Sequence, residues 1–236
     1  MYVPSPVDAV GGHHLLKPHA PNPIVNAICK ANDVVIDVGA NIGHWTLAAA
    51  RVVGERGRVL AFEPVPRMAA ALRKTVAANR LTQVKVFELA LAEAAETRDF
   101  SVERENTGGS RLDRLSDDAR RTFDHIAVTT ARFDDIAEAE KVERVDIFKI
   151  DVEGFEYGVL RGAHDQLRRC KPIIFMETGH ESEECRIGIH EILSGLGYRV
   201  LGVSIGQGML EATLDEYRLR KGVFSDVALA DILLMP

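Results

Sequence analysis

The stretch Asp33–Thr46 (DVVIDVGANIGHWT) constrains the fold more than any other part of this 236-residue chain. Within it, Val34–Val38 is an apolar, β-branched run interrupted only by one aspartate, which predicts a short strand buried on both faces. A glycine-bearing turn follows, and a helix is predicted from about His44 to Val53. Strand, glycine turn and helix form the layout of a nucleotide-cofactor site, because the N–H groups at the helix start face the ligand.

The residues of the turn suit a sharp bend close to a ligand. Gly39 lets the chain turn without a Cβ, Asn41 tolerates a left-handed backbone, and Gly43 allows close approach of a ligand. The spacing is G-x-x-x-G, unlike the dinucleotide fingerprint G-x-G-x-x-G. Asp37 precedes the turn, where its charge would attract an ammonium group and repel a pyrophosphate. The alternative is that Asp37 caps its own loop.

A second carboxylate ends the next predicted strand, which begins at Arg58. Glu63 follows Gly43 by twenty residues, and an acidic residue at that place can accept hydrogen bonds from both ribose hydroxyls. Pro64 stops the strand just beyond it. A solvated loop glutamate is the alternative, but two features at this separation together favour a cofactor site.

Charged residues also follow the strand predicted at Val145–Asp151, which is expected to be central and to lie beside the first. Lys149, Asp151 and Glu153 lie at its carboxyl end, and three such charges are costly to bury unless they pair or serve a ligand. Two interpretations stay open. One is a structural Lys149–Asp151 ion pair, and the other is a general base or a substrate clamp.

The strand predicted at Lys171–Thr178 brings a further carboxylate to the same edge of the sheet. Glu177 lies near its end, and His180 is three residues further along. Ligands of open α/β sheets bind at the carboxyl ends of the strands, so Asp37, Asp151 and Glu177 are expected to meet there.

Two motifs resemble a known family. The pattern D-x-G-x-N-x-G at residues 37–43, with Glu63, resembles the cofactor half of class I S-adenosylmethionine-dependent methyltransferases. The stretch Lys149–Ala163 (KIDVEGFEYGVLRGA) resembles the hallmark of the FkbM family of methyltransferases, and the similarity extends from about Asp33 to Pro236. Many methyltransferases share the first motif, whereas the second is quite specific to this family.

The resemblance implies an α/β fold with a Rossmann-like, seven-stranded, mostly parallel sheet, an antiparallel last strand and helices on both faces. It also implies that the cofactor is S-adenosyl-L-methionine, with Ala90 and Leu91 as walls of the adenine pocket. The predicted cofactor-binding residues are Asp37, Gly39, Asn41, Gly43, Glu63, Ala90, Leu91 and Asp151.

The predicted reaction is methyl transfer to a hydroxyl group of a sugar, a polyketide or a related secondary metabolite, the acceptors that the resemblance implies. The enzyme must hold the acceptor in line with the sulfonium methyl and remove its proton. Asp151 is the first candidate for the base, followed by His180 and Glu177. No metal ion is required in principle. The predicted acceptor-binding residues are Lys149, Glu153, Asn106 and Ser110.

Three other functions stay open. An N-methyltransferase acting on an amine would need carboxylates for orientation more than a strong base. In a metal-assisted transfer, Asp151, Glu153 and Glu177 would supply oxygen ligands for Mg²⁺. A non-enzymatic cofactor sensor, or a nicotinamide enzyme, is the third, although the glycine spacing and Asp37 disfavour nicotinamide.

Composition favours one enzyme domain of ordinary size, with 46% hydrophobic and 27% charged residues. The net charge of -6 argues against a general nucleic-acid binder, so the expected partner is a small molecule. Three cysteines without metal-type spacing favour a reduced, cytoplasmic protein. Neither a signal peptide nor an apolar run near the roughly 18 residues of a membrane span is recognised. Oligomeric state stays open, with a homodimer as one expectation.

Residues 33–236 are predicted to form a single methyltransferase domain. The segment 1–32 begins with many proline, histidine and glycine residues, and it is either a loose tail or a lid over the cofactor. Substrate-side insertions are predicted around 94–131 and 204–225, where the chain is least patterned.

Two further elements are predicted from the pattern of the chain. Ile126–Thr130 alternates like an extra strand, and Phe155–Gln166 is predicted to continue as a helix after the charged strand end.

Overall fold

The computed structural model describes residues 22–103, 123–205, 208–225 and 230–236. The chain divides into two compact units. The first consists of residues 1–90 and 95–130, and the second of residues 91–94 and 131–236.

The first unit is built on three parallel strands with helices between them. The strands, in the spatial order β1-β2-β3, are β1 (Val34–Val38), β2 (Arg58–Phe62) and β3 (Val84–Phe87). The helices are α1 (Pro23–Ile28), α2 (His44–Val53) and α3 (Pro66–Ala78). The predicted bounds of α2 are therefore confirmed. After the two-residue strand β4 (Ala90–Leu91), β5 (Thr97–Glu103) pairs antiparallel with β6 (Phe123–Ala131).

The core of this unit follows from the sequence pattern. The last four residues of β1 and of β2 are buried, as expected for strands covered on both faces. Side chains from the turn after β1, from α3 and from the β5–β6 ladder pack together in one cluster, which comprises Ile42, Val65, Met68, Ala71, Phe100, Val102 and Val128. The extra strand predicted within 94–131 is confirmed as β6, but its partner β5 was not predicted.

The second unit is built on five strands in the order β7-β8-β11-β9-β10. They are β7 (Ile147–Ile150), β8 (Ile173–Thr178), β9 (Arg199–Ile205), β10 (Gly208–Leu210) and β11 (Ala230–Met235). The pair β7–β8 is parallel, and the other pairs are antiparallel. The helices are α4 (Phe133–Ala139), α5 (Glu156–Gly162), α6 (His164–Cys170), α7 (Glu183–Gly195) and α8 (Leu214–Leu219), followed by a 3₁₀ turn at Gly222–Phe224.

The α/β class with a mostly parallel sheet is confirmed, and so is the antiparallel pair near the C-terminus, formed by β9 and β11. The strand count is higher than predicted, because β10 pairs with β9 at the edge of the sheet. Part of 204–225, predicted to be a loop, is helical. There Thr213 and Glu216 form a capping box at the start of α8.

The continuous helix predicted from Phe155 to Gln166 is wrong, since α5 ends at Gly162 and α6 begins at His164. The residue between them, Ala163, has φ −112° and ψ 6° and so leaves the helical conformation. Gly162 fits tightly here, because a Cβ on it would lie 1.9 Å from the carbonyl oxygen of Ala92.

Among the described residues, no helix combines the length and the apolar character that crossing a bilayer requires. The three cysteines, Cys29, Cys170 and Cys185, are free thiols.

Candidate functional site

The turn after β1 has the left-handed backbone that its residues predict. Gly39, Asn41 and Gly43 have φ angles of 75°, 50° and 96°. Gly43 is the N-cap of α2, so the helix begins directly after the turn. The N–H groups of the first helical turn therefore lie at the carboxyl end of β1.

Packing gives Gly43 a structural reason to be glycine. A Cβ at this position would lie 2.3 Å from Cδ1 of Leu72 in α3, which is closer than two carbon atoms can approach. The structure thus places the Leu72 side chain, which belongs to the same unit, where that Cβ would lie. Close approach of a cofactor to Gly43 stays a prediction.

Asp37 holds the start of α2 to the end of β1. The side chain is fully buried, and its Oδ2 accepts a hydrogen bond of 2.5 Å from the hydroxyl of Thr46. This contact resembles the capping alternative more than a carboxylate open to solvent, and sequence reasoning missed Thr46 altogether. A role of Asp37 toward the cofactor stays a prediction.

Glu63 joins the two predicted cofactor elements. Its Oε2 accepts a hydrogen bond of 2.8 Å from the N–H of Asn41, and its Oε1 accepts one of 2.8 Å from the N–H of Val65. The side chain is nearly buried, with 5% of the residue exposed. An ionised carboxylate has about four acceptor positions, and the contact of Glu63 with a ribose hydroxyl stays a prediction.

The two predicted adenine walls are buried residues of β4. Ala90 is the last residue of the first segment of unit one, and Leu91 begins the second unit. The adenine contact of both stays a prediction.

In the second unit, three predicted residues come together at the carboxyl ends of β7 and β8. The His180 Nε2 atom lies 2.9 Å from Oε2 of Glu153 and 3.9 Å from Oε2 of Glu177. We call these three residues the Glu–Glu–His cluster. Glu153 lies in the loop after β7 with a left-handed φ of 55°, and Gly154 beyond it has φ 100°.

Lys149 and Asp151 form the predicted ion pair beside this cluster. The Lys149 ammonium is buried, and its Nζ lies 3.4 Å from Oδ2 of Asp151. The Asp151 side chain is 42% exposed, so a ligand can reach its carboxylate. Of the proposed bases, Asp151 is the one most open to solvent.

The electrostatic environment of Glu177 makes it a poor candidate for the base. Burial, followed by the charges of Asp151, Glu153 and Asp231, raises the pKa of Glu177 to about 9. Burial and the charge of Asp151 also raise the pKa of Asp231 to about 6, against the lowering effect of Lys149. With such a pKa, Glu177 is protonated at neutral pH and does not accept a proton there.

Asp231 was not predicted to be part of the site. It stands directly opposite Glu177 in the antiparallel ladder of β11 and β8, which places the two carboxyl groups on the same face of the sheet. The register of two strands cannot be read from either strand alone, so the sequence carried no signal for this pair.

Two buried glutamates hold the loops that carry the cluster. Glu156 Oε1 accepts hydrogen bonds from the N–H groups of Gly154, at 3.1 Å, and Val152, at 3.4 Å. Glu181 accepts from the Thr178 hydroxyl at 2.8 Å and from the Gly179 N–H at 2.6 Å. Both glutamates were missed as structural supports, although Glu156 belongs to the family-like motif.

Burial raises the pKa of Glu156 to about 7, against the lowering effect of its backbone hydrogen bonds. Its residue exposure is 2%. Asn106 and Ser110, predicted to contact the acceptor, lie outside the described residues, as does segment 1–21 of the predicted lid.

Three curated relatives are similar to this chain. The AMB antimetabolite synthetase AmbE of Pseudomonas aeruginosa is 32% identical over 221 residues, which cover 78% of this chain and 10% of AmbE. The 2-O-methyltransferase NoeI of Sinorhizobium fredii is 28% identical over 182 residues, covering 72% of this chain and 73% of NoeI. The hexuronic acid methyltransferase AglP of Haloferax volcanii is 28% identical over 145 residues, covering 61% of this chain and 56% of AglP. The chain thus spans only a small part of AmbE.

A protein-family profile also matches this chain. The profile of the Methyltransferase FkbM domain matches residues 37–200, from the aspartate before the glycine turn to the start of β9. This interval contains the Glu–Glu–His cluster and the whole turn. Because the match covers well over half of the chain, the protein belongs to the FkbM methyltransferase family.

Proposed function

We propose that the chain transfers a methyl group from S-adenosyl-L-methionine to a hydroxyl group of a sugar or a related metabolite. The observation that carries the proposal is the hydrogen bond between Glu63 and the N–H of Asn41. It joins the left-handed glycine turn to the carboxylate after β2, the two features expected to bind the amino-acid and ribose parts of this cofactor.

For this reaction the protein has to place the acceptor oxygen in line with the methyl group and to remove one proton. A lone pair of the acceptor oxygen attacks the methyl carbon, and the carbon–sulfur bond breaks with its electron pair left on sulfur. The product is S-adenosylhomocysteine. The hydroxyl proton has to pass to a base, because a neutral ether forms from an alcohol.

Asp151 is the residue we propose as this base. Its carboxylate is half-exposed, and the ammonium of the buried Lys149 lies 3.4 Å away. Glu177 fits the role less well, since its raised pKa keeps it protonated at neutral pH. His180 is the second candidate, because its Nε2 already contacts Glu153.

Oxygen is the more strongly supported acceptor atom. NoeI is by its name a 2-O-methyltransferase and AglP a hexuronic acid methyltransferase, which favours a hydroxylated sugar as the acceptor class. With an amine acceptor, Asp151 would orient the substrate instead of acting as a strong base, and the acceptor panel below distinguishes the two.

The cofactor assignment is tested by calorimetric titration with S-adenosylhomocysteine and, separately, with NAD. We expect micromolar binding of S-adenosylhomocysteine alone. Glu63→Gln should weaken it about tenfold or more, since this change removes the charge that accepts the ribose hydroxyls. Glu55→Gln is the matched control, because Glu55 is exposed in the same unit.

Asp37→Asn is measured in the same series, together with the unfolding midpoint of each variant. Tighter binding of NAD than of S-adenosylhomocysteine would refute the cofactor assignment. So would unchanged affinity in a folded Glu63→Gln variant.

The base is tested by following methyl transfer to a panel of methyl glycosides, uronic acids and amino sugars. We expect turnover with hydroxyl acceptors, and a loss of about 10²-fold or more in kcat for Asp151→Asn with cofactor affinity retained. Asp165→Asn, in an exposed aspartate of α6, is the control. Full turnover in Asp151→Asn would show that another group is the base.

A further inference from the structure

We infer that the Glu–Glu–His cluster is a binding site for a divalent first-row transition-metal ion of the Mn²⁺, Co²⁺ or Zn²⁺ class. Glu153, Glu177 and His180 each offer one ligand atom, and these three atoms lie within 4.8 Å of one another. All three residues belong to the second unit.

The spacing of the ligand atoms suits a metal ion. Ligands at about 2.1 Å from an ion, at right angles to one another, are about 3 Å apart. The His180 Nε2 atom is 2.9 Å from Glu153 Oε2 and 3.9 Å from Glu177 Oε2. A small side-chain rotation therefore brings all three atoms into one coordination sphere.

Glu177 supplies an observation independent of this spacing. Its Oε2 atom is buried and accepts no hydrogen bond from the described residues. A buried acceptor left in this state costs free energy, which a metal–oxygen bond would recover.

The register of strands β8 and β11 supplies a second independent observation. Asp231 stands directly opposite Glu177 across the β8–β11 ladder, so ionising both carboxyl groups would place like charges together, which destabilises a sheet. A cation held by Glu177 would reverse this cost. The cross-strand pair thus favours a positively charged ligand at this edge.

The kind of ligand selects the class of metal. Imidazole together with carboxylates suits Mn²⁺, Co²⁺ or Zn²⁺, whereas Mg²⁺ prefers oxygen alone. The Mg²⁺ site considered from the sequence used Asp151, but in the structure Asp151 pairs with Lys149. The cluster has His180 in its place.

The role of the ion rests on the proposed function, although its binding does not. There the ion would coordinate the acceptor's hydroxyl oxygen as a Lewis acid and stabilise the alkoxide that forms when the proton passes to Asp151. The open coordination positions left by three protein ligands would accommodate that oxygen.

Metal binding is tested on the chelator-treated 236-residue chain without cofactor or acceptor. Free Mn²⁺ is followed by electron paramagnetic resonance, and bound Co²⁺ by its visible absorption. We expect one ion to bind with micromolar affinity. Glu177→Gln and His180→Asn should each weaken it about tenfold or more, and His180→Asn should change the Co²⁺ spectrum.

Two controls separate this site from other metal ligands. Glu184→Gln changes an exposed glutamate of α7, and a His13→Ala/His14→Ala variant removes the paired histidines of the N-terminal segment. Both should bind the ion as the unchanged protein does. Binding lost only in the histidine double variant would overturn the proposal, as would affinity unaffected by Glu177→Gln.

Titration with S-adenosylhomocysteine, run on the same chelator-treated samples, distinguishes a failure of the metal site from a failure of the proposed function. Cofactor binding without metal binding would refute the metal site alone. Metal binding without cofactor binding would refute the proposed function and leave the site standing.

Discussion

The Thr46 hydroxyl donates to the buried carboxylate at the end of β1. Asp37 has no exposed surface, and Thr46 donates to its Oδ2 from the first turn of α2. A hydrogen bond to a buried charged group contributes more to stability than one between neutral groups. The residue pair thus fixes the angle at which the helix leaves the glycine turn.

Thr46→Val removes this donor with little change in shape. We expect it to lower the free energy of unfolding by about 2 kcal/mol, because the buried Asp37 side chain loses a hydrogen bond. Thr75→Val is the matched control, because the buried Thr75 hydroxyl donates to the Ala71 carbonyl within its own helix. Urea unfolding should show a smaller loss there, and equal losses would contradict the role of Thr46.

Glu156 makes stability depend on pH. Its pKa is raised from 4.5 to about 7, so its ionisation is less favourable in the folded chain than in the unfolded one. Its favourable contribution is complete below about pH 4.5, is lost as pH rises to about 7, and then stays constant. A shift of this size corresponds to about 3 kcal/mol.

Glu156→Gln should remove that part of the pH dependence, because glutamine does not ionise and its carbonyl can still accept from the N–H of Gly154. We expect the difference in unfolding free energy between the two proteins to change by about 3 kcal/mol across this window. Urea unfolding at several pH values between about 4.5 and 7.5 measures it. Parallel pH profiles would refute the assignment.

At the scale of elements, a tightly packed glycine lies next to the break between α5 and α6. Gly162 packs against the main chain of Ala92, where a side chain has no room. Gly195, at the end of α7, has nothing within 4 Å of the position of its missing Cβ. The same substitution is therefore expected to act in opposite directions at these two residues.

Gly162→Ala should destabilise the protein by about 2 kcal/mol or more, because backbone would have to move to admit the methyl group. Gly195→Ala should stabilise it by up to about 1 kcal/mol through the better helix propensity of alanine. Thermal and urea unfolding measure both. A tolerated Gly162→Ala would mean that the segment at Ala92 moves aside easily.

Most elements were predictable from the sequence, because their cause is local. Alternating or continuous apolar runs predicted β1, β2 and β8, and the glycine turn fixed the start of α2 at His44. The break at Ala163 was not predicted, and the neighbouring Gly162 is in close contact with Ala92, seventy residues earlier, which the local pattern does not reveal.

Some residues of the candidate site were likewise predictable from the local sequence, and others were not. Carboxylates at strand ends were recognised from their positions in sequence, which led to Glu63, Asp151 and Glu177. The partners Asp231 and Thr46 were missed because strand register and side-chain contacts across a turn are tertiary properties.

At the scale of the whole molecule, the predicted cofactor and acid–base residues belong to different units. The glycine turn and Glu63 are in the first, and the Glu–Glu–His cluster is in the second. The full chain carries a formal net charge of -6. Acidic proteins lack the favourable phosphate electrostatics on which general nucleic-acid binding depends.

We therefore expect no measurable binding to labelled duplex DNA or RNA at about 150 mM salt, since few phosphate charges would be neutralised. Fluorescence anisotropy measures it, with a basic nucleic-acid-binding protein as the positive control. Salt-dependent micromolar binding would instead point to a polynucleotide acceptor and change the substrate class.

The loop after β7 is held by hydrogen bonds to its main chain. Glu156 accepts from the N–H groups of Val152 and Gly154, and every amino acid except proline supplies such a group. Residue 152 is thus a position where a randomised library, with proline left out, should yield mostly folded variants. Directed evolution of acceptor preference can begin at this half-buried position without first adding stabilising substitutions.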